Sequence, residues 1–169
     1  MKQELAGQFE GAEITEVKVE NVKNLEMPLV YAAKIRMPGY AQRTGKRLFL
    51  QPAFFHKNST PRFAASERKW DIQFDYPWSE TDRITILLPE GLELDQPTAP
   101  QSFKIGETGE YKAGLALSED RKQLVYTRLF DWGRKDQIIF PVKGYPAIKE
   151  AFDYVNEQDT HAVALKAAN

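Results

Sequence analysis

Apolar residues recur at every second position along most of this chain, and that period determines the fold class. From Trp70 to Trp78 the even positions are aromatic or aliphatic, while the odd positions are Asp, Gln, Asp and Pro. Successive side chains of a strand point to opposite faces, so this alternation predicts a strand with one buried and one wet face. The same period returns at 27–37 and at 111–117. The chain is therefore predicted to be mainly β.

Turn-forming residues separate the alternating segments at intervals of about ten residues, a spacing typical of β-sandwiches and barrels. A Pro-Glu-Gly turn at 89–91 ends a strand at 84–88, and a glycine-bounded loop at 106–109 closes a hairpin. These signals predict an antiparallel β-sandwich of roughly 9–10 strands. We assign residues 1–169 to a single accessory domain, with a soft division near 56–66.

One α-helix is predicted near the end of the chain. Pro146 suits the first turn of a helix. Ile148, Phe152 and Val155 fall on one face at spacings of four and three residues, as in a helix with one buried side. We expect this helix to end near Gln158 and to be followed by a last alternating strand.

Composition excludes several classes of function. The 23 Lys and Arg residues are balanced by 24 Asp and Glu, a net charge of −1 that argues against a nucleic-acid partner. With no cysteine, disulfides, thiolate nucleophiles and thiolate metal ligands are all excluded. No apolar run approaches the roughly 20 residues of a membrane-spanning helix. The polar amino terminus lacks the apolar region of a signal peptide, so none is predicted in this chain.

Two short groups of basic residues are interrupted by polar and apolar residues. We interpret them as solvated edges rather than as phosphate-binding sites. They are Arg43, Lys46 and Arg47, and then Arg62, Arg68 and Lys69.

The sequence carries no motif for catalysis, a cofactor or a metal. His56 and His161 are the two histidines, and neither belongs to a triad or a Gly-x-Ser-x-Gly pattern. Glu157, Asp159 and His161 would share one face if they lay in a strand, but a solvated helix end is the commoner origin of such a run. A carboxylate pair for glycoside hydrolysis is assembled in space, so the sequence neither identifies nor excludes one. We predict no enzyme, no cofactor and no metal.

The aromatic residues raise the question of sugar binding. Trp70 and Trp78 would stack sugars on an open sheet together with Tyr76 and Tyr126, but their shared apolar face favours the core instead. Trp132 lies in a predicted polar hairpin tip, where it is either a folded-back lid or an exposed contact. Its polar neighbours are Asp131, Arg134 and Asp136.

Arg128 interrupts an apolar stripe. The alternate positions of this segment are Leu124, Tyr126, Arg128, Phe130 and Trp132. A buried arginine requires a carboxylate or carbonyl partner. We favour an internal ion pair or an aromatic stack over a site that grips the carboxylate of a ligand.

The order of these pieces resembles the carboxy-terminal region of a family of exported bacterial proteins. Such proteins carry an amino-terminal β domain, a transglutaminase-like core and a β-rich tail. The resemblance covers most of the chain and is best from about Arg68 to Leu165. It is carried by Met27-Pro28-Leu29, Tyr40-Ala41, Gly45-Lys46-Arg47-Leu48, Leu87-Leu88-Pro89-Glu90-Gly91, Tyr126-Thr127-Arg128, Tyr145-Pro146, Phe152 with Val155, and Val163 with Leu165.

The resemblance implies a non-catalytic accessory or docking domain whose partner is the transglutaminase-like core of the same polypeptide. The catalytic Cys, His and Asp of that family belong to the core, and no position here matches them, so no site residue is carried over. For the parent protein it implies a periplasmic or extracellular location. A carbohydrate-binding module is the alternative, a carboxylate hydrolase is the third hypothesis, and a glycan or a peptide remains open as the ligand.

Overall fold

The computed structural model describes residues 11–57, 59–95 and 98–168. It divides into two compact units, Met1–Gln42 and Arg43–Asn169. Twelve β-strands and one late α-helix lie in the described ranges, which confirms the mainly β fold and is consistent with a β-sandwich. The soft division expected near 56–66 falls inside the second unit, and the assignment of 1–169 to one domain stays a prediction.

The first unit contains an antiparallel hairpin of β1 (Glu13–Glu20) and β2 (Val30–Arg36), with a register shift between Ile14 and Glu16. The apolar face predicted at 27–37 is largely exposed, and Tyr31 retains 55% of its surface. Two strands alone cannot cover either of their own faces, which explains this exposure.

From residue 42 onward the strands form three antiparallel sheets. In the first, the order is β3 (Gln42–Thr44), β4 (Arg47–Leu50), β12 (Val163–Ala167) and β7 (Leu92–Leu94). In the second, called the main sheet, the order is β6 (Trp78–Leu87), β10 (Gln123–Trp132), β9 (Gly109–Leu117) and β8 (Phe103–Ile105). The third pairs β5 (Ile72–Gln73) with β11 (Ile139–Phe140). The predicted hairpin at 106–109 is confirmed, and it places β8 at the edge of the main sheet.

The strand predicted from Trp70 to Trp78 is wrong. Only Ile72 and Gln73 are in strand conformation there, and Trp78 begins β6 instead of ending the earlier strand. The chain bends at residues 75–76, just before Pro77, which has no N–H to donate to a ladder. Trp70 lies before β5, in a separate bend at residues 69–70, and is 80% exposed, so its assignment to the core is also wrong.

The predicted helix is confirmed as α1 (Tyr145–Asp159), with Pro146 in its first turn. Ile148, Phe152 and Val155 are all buried, as their spacing predicted. The Phe152 ring lies 4.7 Å from that of Trp132, so α1 packs on the inner face of the main sheet. Within the described residues, no helix has the length and apolar character needed to cross a membrane.

A dense aromatic core fills the space between α1 and the main sheet. Phe152 contacts the rings of Phe63, Phe74 and Phe130 at 5.3, 5.9 and 5.6 Å. The backbones of β9 and β10 approach closely beside it, since a methyl group at Gly109 would lie 2.3 Å from the Asp131 carbonyl oxygen. A residue without a side chain is therefore required at position 109.

Candidate functional site

Arg128 lies, itself buried, at the centre of a cluster of charged side chains. Its Nε and Nη2 donate to Oδ1 and Oδ2 of Asp159, the last residue of α1, at 2.7 and 2.8 Å. Its Nη1 donates to Glu80 Oε2 at 3.0 Å and lies 3.7 Å from Asp82 Oδ2. Arg128 and Asp159 are each 3% exposed. The internal ion pair predicted for Arg128 is therefore confirmed.

Two tyrosines enclose this ion pair. The Tyr111 hydroxyl donates to Asp159 Oδ1 at 2.8 Å, and the Arg128 guanidinium carbon lies 5.5 Å from the centre of the Tyr111 ring. Burial, and then the charge of Asp159, raise the pKa of Tyr111. Its hydroxyl therefore stays protonated at neutral pH and donates this hydrogen bond. Burial also raises the pKa of Tyr126 to about 12.

The protonation state of Arg128 follows from two opposing effects. Burial lowers the pKa of the guanidinium, because a charged group loses hydration in the interior. Hydrogen bonds to Asp159 and Glu80 outweigh this effect, and the net pKa is raised. Arg128 is therefore a permanent cation at the centre of these carboxylates.

His56 joins the edge of the same cluster from a 3₁₀ turn at Phe54–His56. Its Nε2 lies 3.1 Å from Asp82 Oδ2, and its Nδ1 lies 3.8 Å from Asp159 Oδ2. No serine or threonine hydroxyl of the described ranges contacts the imidazole. Because its two carboxylate neighbours also face Arg128, His56 completes an internal charge network. We call Arg128, Asp159, Glu80, Asp82, Tyr111 and His56 the charge cluster.

The other sequence candidates for a metal do not come together. Glu157 is exposed on α1, whereas Asp159 is buried against Arg128. His161 follows the helix, and its Nε2 lies 2.6 Å from the Thr98 carbonyl oxygen. Throughout the described segments, no three His, Asp or Glu side chains are grouped closely enough to hold a metal ion.

Trp132 is not at an exposed hairpin tip. β10 continues to residue 132, so Trp132 follows the buried stripe of that strand and is 1% exposed. Its ring lies 5.3 Å from those of Phe74 and Phe140. The exposed-contact alternative for Trp132 is therefore wrong, and Trp132 is not available to stack on a sugar.

The polar and basic residues near the surface satisfy one another or face solvent. Arg134 forms ion pairs of 2.6 Å with both Asp131 and Glu110. The six arginines and lysines predicted as solvated edges are all exposed, which confirms that interpretation. Arg62 and Arg68 also lie over aromatic rings, at 5.1 Å from Trp78 and 5.7 Å from Tyr145.

An open groove of about 920 Å³ lies between β8 and one flank of α1. Phe103 and Ile105 of β8 form one wall, and Ala147, Ala151 and Tyr154 of α1 form the other. Charged side chains stand along its rim, namely Lys104, Lys149, Glu150, Asp153 and Glu157. We call this feature the α1–β8 groove. Its combination of apolar walls and a charged rim is typical of surfaces that receive a protein partner.

The rim charges of the α1–β8 groove differ in how they are satisfied. Lys149 pairs with Asp153 at 2.8 Å and also donates to the Phe63 carbonyl oxygen at 2.7 Å. Glu150 and Glu157 form no ion pair with any residue that the structure describes. Their side of the groove therefore carries uncompensated negative charge.

Sequence reasoning identified Arg128 but missed its main partner. Asp159 lies four residues after Val155, and so on the same helical face as the buried stripe of α1. That position was the available signal for a buried carboxylate. The α1–β8 groove left no comparable signal, because α1 and β8 are about forty residues apart and meet only in the folded chain.

A protein-family model matches most of the second unit of this fold. Residues 46–165 match the model of DUF3858, described as a domain of unknown function with a solved structure. No curated protein and no solved structure matches the chain. The matched range includes the main sheet, α1, the charge cluster and the α1–β8 groove. Since the match spans well over half of its 169 residues, the chain belongs to the DUF3858 family.

Proposed function

We propose that this chain is a non-catalytic docking domain that packs against a transglutaminase-like core of the same polypeptide. The α1–β8 groove is the observation that carries this proposal. It leaves the side chains of Phe103 and Ile105 partly exposed, together with two alanines of α1, beside a densely packed aromatic core. Covering such a surface is favourable because apolar area leaves water.

The character of the groove fits contact between domains of one polypeptide. Interfaces of this kind are modest in area and more polar than obligate interfaces. The apolar walls of the groove supply the buried centre, and Lys104, Glu150 and Glu157 supply a polar rim. The resemblance to the tail of transglutaminase-like proteins supports the choice of that core as the partner.

The absence of catalysis is the second part of the proposal. With no cysteine, the chain lacks the nucleophile of transglutaminase chemistry. Within the charge cluster, the carboxylates of Glu80, Asp82 and Asp159 all face the Arg128 guanidinium.

We expect the purified chain to show no peptidase or transglutaminase turnover. The assay is cleavage of a peptide library, together with incorporation of an amine into a glutamine-containing peptide. A preparation of the Arg128→Ala variant, purified in parallel, controls for contaminating enzymes. Turnover by the wild-type chain that this variant loses would contradict the non-catalytic assignment.

Docking is tested by binding to the transglutaminase-like core of the parent polypeptide, produced as a separate protein. We expect a one-to-one complex in calorimetry, weakened about tenfold or more by Ala147→Arg, which places a bulky cation in the groove. Ala116→Arg on the exposed outer face of β9 is the matched control and should leave affinity unchanged. A core that does not bind the chain, or that binds both variants equally well, would contradict docking through this groove.

A further inference from the structure

The helix α1 extends sideways beyond β8, the edge strand of the main sheet. Tyr154 of α1 lies 4.7 Å, ring to ring, from Phe103, and Gln158 accepts a hydrogen bond from the Gln101 N–H at 2.7 Å. These contacts make α1 antiparallel to β8. The flank of α1 that carries Ala147 and Ala151 borders the α1–β8 groove beyond the edge strand. A strand added beside β8 would occupy that groove and lie against this flank.

The backbone of β8 is oriented to accept such a strand. Thr108 donates its N–H to the Ile105 carbonyl oxygen at 3.1 Å, so the polar groups of Ile105 point toward β9. Consecutive residues of a strand direct these groups to opposite sides. The N–H and C=O of Lys104 therefore point away from β9, toward the open edge. Before β8 the ladder ends at Ser102. Its hydroxyl oxygen accepts a hydrogen bond from the Ala113 N–H at 3.1 Å and donates one to the Ala113 carbonyl oxygen at 3.3 Å.

The helix side of the groove has room for side chains of an added strand. Ala147 and Ala151 are four residues apart and therefore lie one above the other on this flank. Their methyl groups leave a depression that Tyr154 closes at one end, where its hydroxyl donates to Gln101 Oε1 at 2.7 Å. Apolar side chains at alternate positions of a strand would fill this depression.

Charge indicates what the other side chains of the occupant are. Glu150 and Glu157 lie on the helical rim of the groove and have no ion pair within the described ranges. Lysine or arginine side chains reaching this rim would compensate them. A second copy of this chain fits less well. Antiparallel pairing of two β8 edges would bring the two Lys104 side chains together, and their like charges would repel each other.

We propose that the α1–β8 groove binds an extended segment that adds to β8 as a fifth strand of the main sheet, with both apolar and basic side chains among those that face α1. The backbone of Lys104 supplies the hydrogen bonds, and α1 supplies the apolar wall and the acidic rim. This mode of recognition combines main-chain pairing for affinity with side-chain pockets for specificity. The inference rests on the docking function proposed above, and it assigns the segment to the partner core.

The test begins with a phage-displayed library of random twelve-residue peptides selected against the whole chain. We expect enriched peptides to carry apolar residues and Lys or Arg at positions two or four residues apart, which share the face toward α1. Selection against the Glu150→Lys/Glu157→Lys double variant should replace the basic residues with acidic ones. No enrichment, helical or uncharged consensus sequences, or the same basic consensus with the double variant would each overturn the proposal.

The backbone contact is tested with one enriched peptide and two substitutions at Lys104. Lys104→Pro removes the outward N–H at a strand edge, where proline is tolerated, and should weaken binding about tenfold or more. Lys104→Ala keeps the N–H and should bind within about twofold of wild type. If Lys104→Pro does not fold, protection of the Lys104 amide from hydrogen exchange in the peptide complex replaces it. Equal affinity of the two variants, or no protection, would overturn strand addition.

Measuring the core and the peptide in parallel separates the two proposals. Binding of the core that is insensitive to Lys104→Pro would overturn strand addition and leave docking intact. Binding of the peptide without binding of the core would overturn docking to that core and leave the groove as a site for extended segments.

Discussion

Replacing Arg128 with alanine is expected to lower the free energy of unfolding by about 3–5 kcal/mol. The substitution leaves Asp159, which is 3% exposed, without the two hydrogen bonds from Nε and Nη2. It also removes the cation that lies 3.0 Å from Glu80 Oε2 and 3.7 Å from Asp82 Oδ2. For a domain of this size the melting temperature should fall by about 10 °C or more. Differential scanning calorimetry at neutral pH measures this change.

Two further variants identify the cause of the loss. Arg128→Met should cost somewhat less than Arg128→Ala, since its aliphatic chain still fills the space occupied by the arginine stem. Adding Asp159→Leu to Arg128→Met should recover part of the stability, because it removes the unpaired buried charge. Arg83→Ala, on the exposed outer face of the main sheet, is the matched control and should change stability by less than about 0.5 kcal/mol. An unchanged melting temperature in both Arg128 variants would contradict the internal role of this residue.

The alternation of apolar residues predicted the fold class because it records burial directly. Strand β9 and the helix α1 appear where period two and period 3.6 indicated them. The prediction failed at 70–78, where the same period crosses a bend before Pro77. Alternation shows which side chains would share a face if the backbone stayed extended, and it does not show that the backbone stays extended.

Trp132 shows the opposite error. Its polar neighbours suggested a turn, yet β10 continues through Asp131 to a buried Trp132, and the turn begins only at Gly133. Asp131 remains near the surface because it points to the outer face, where Arg134 pairs with it at 2.6 Å. The polarity of Asp131 therefore marked the outer face of a strand, whereas that of residues 134–136 marked a turn.

The charge cluster was half predictable. Arg128 interrupts the buried stripe of β10, and Asp159 extends the buried stripe of α1 by one more helical turn. Two opposite charges, each placed on an apolar face, are natural partners, because a buried charge is costly unless it is paired. The choice among 24 acidic residues nevertheless depended on tertiary contacts that no local pattern records.

Trp132→Ala is expected to destabilise the fold by about 3–5 kcal/mol, as large aromatic deletions in a packed core do. The indole contacts Phe74, Phe140 and Phe152 within 5.3 Å between ring centres, so its removal leaves a cavity beneath α1. Trp132→Phe should cost less, because a six-membered ring still fills part of that space. Chemical denaturation followed by far-ultraviolet circular dichroism gives the free energies.

Trp70→Ala provides the control for Trp132, since it removes the same side chain from a position that is 80% exposed. It should change the free energy of unfolding by less than about 0.5 kcal/mol. The contrast also bears on sugar binding. A glycan ligand that depended on Trp132 would require a stable Trp132→Ala protein that has lost affinity, whereas a core residue gives a protein that has lost stability. Equal stability of the two tryptophan variants would contradict the packing of Trp132 against α1.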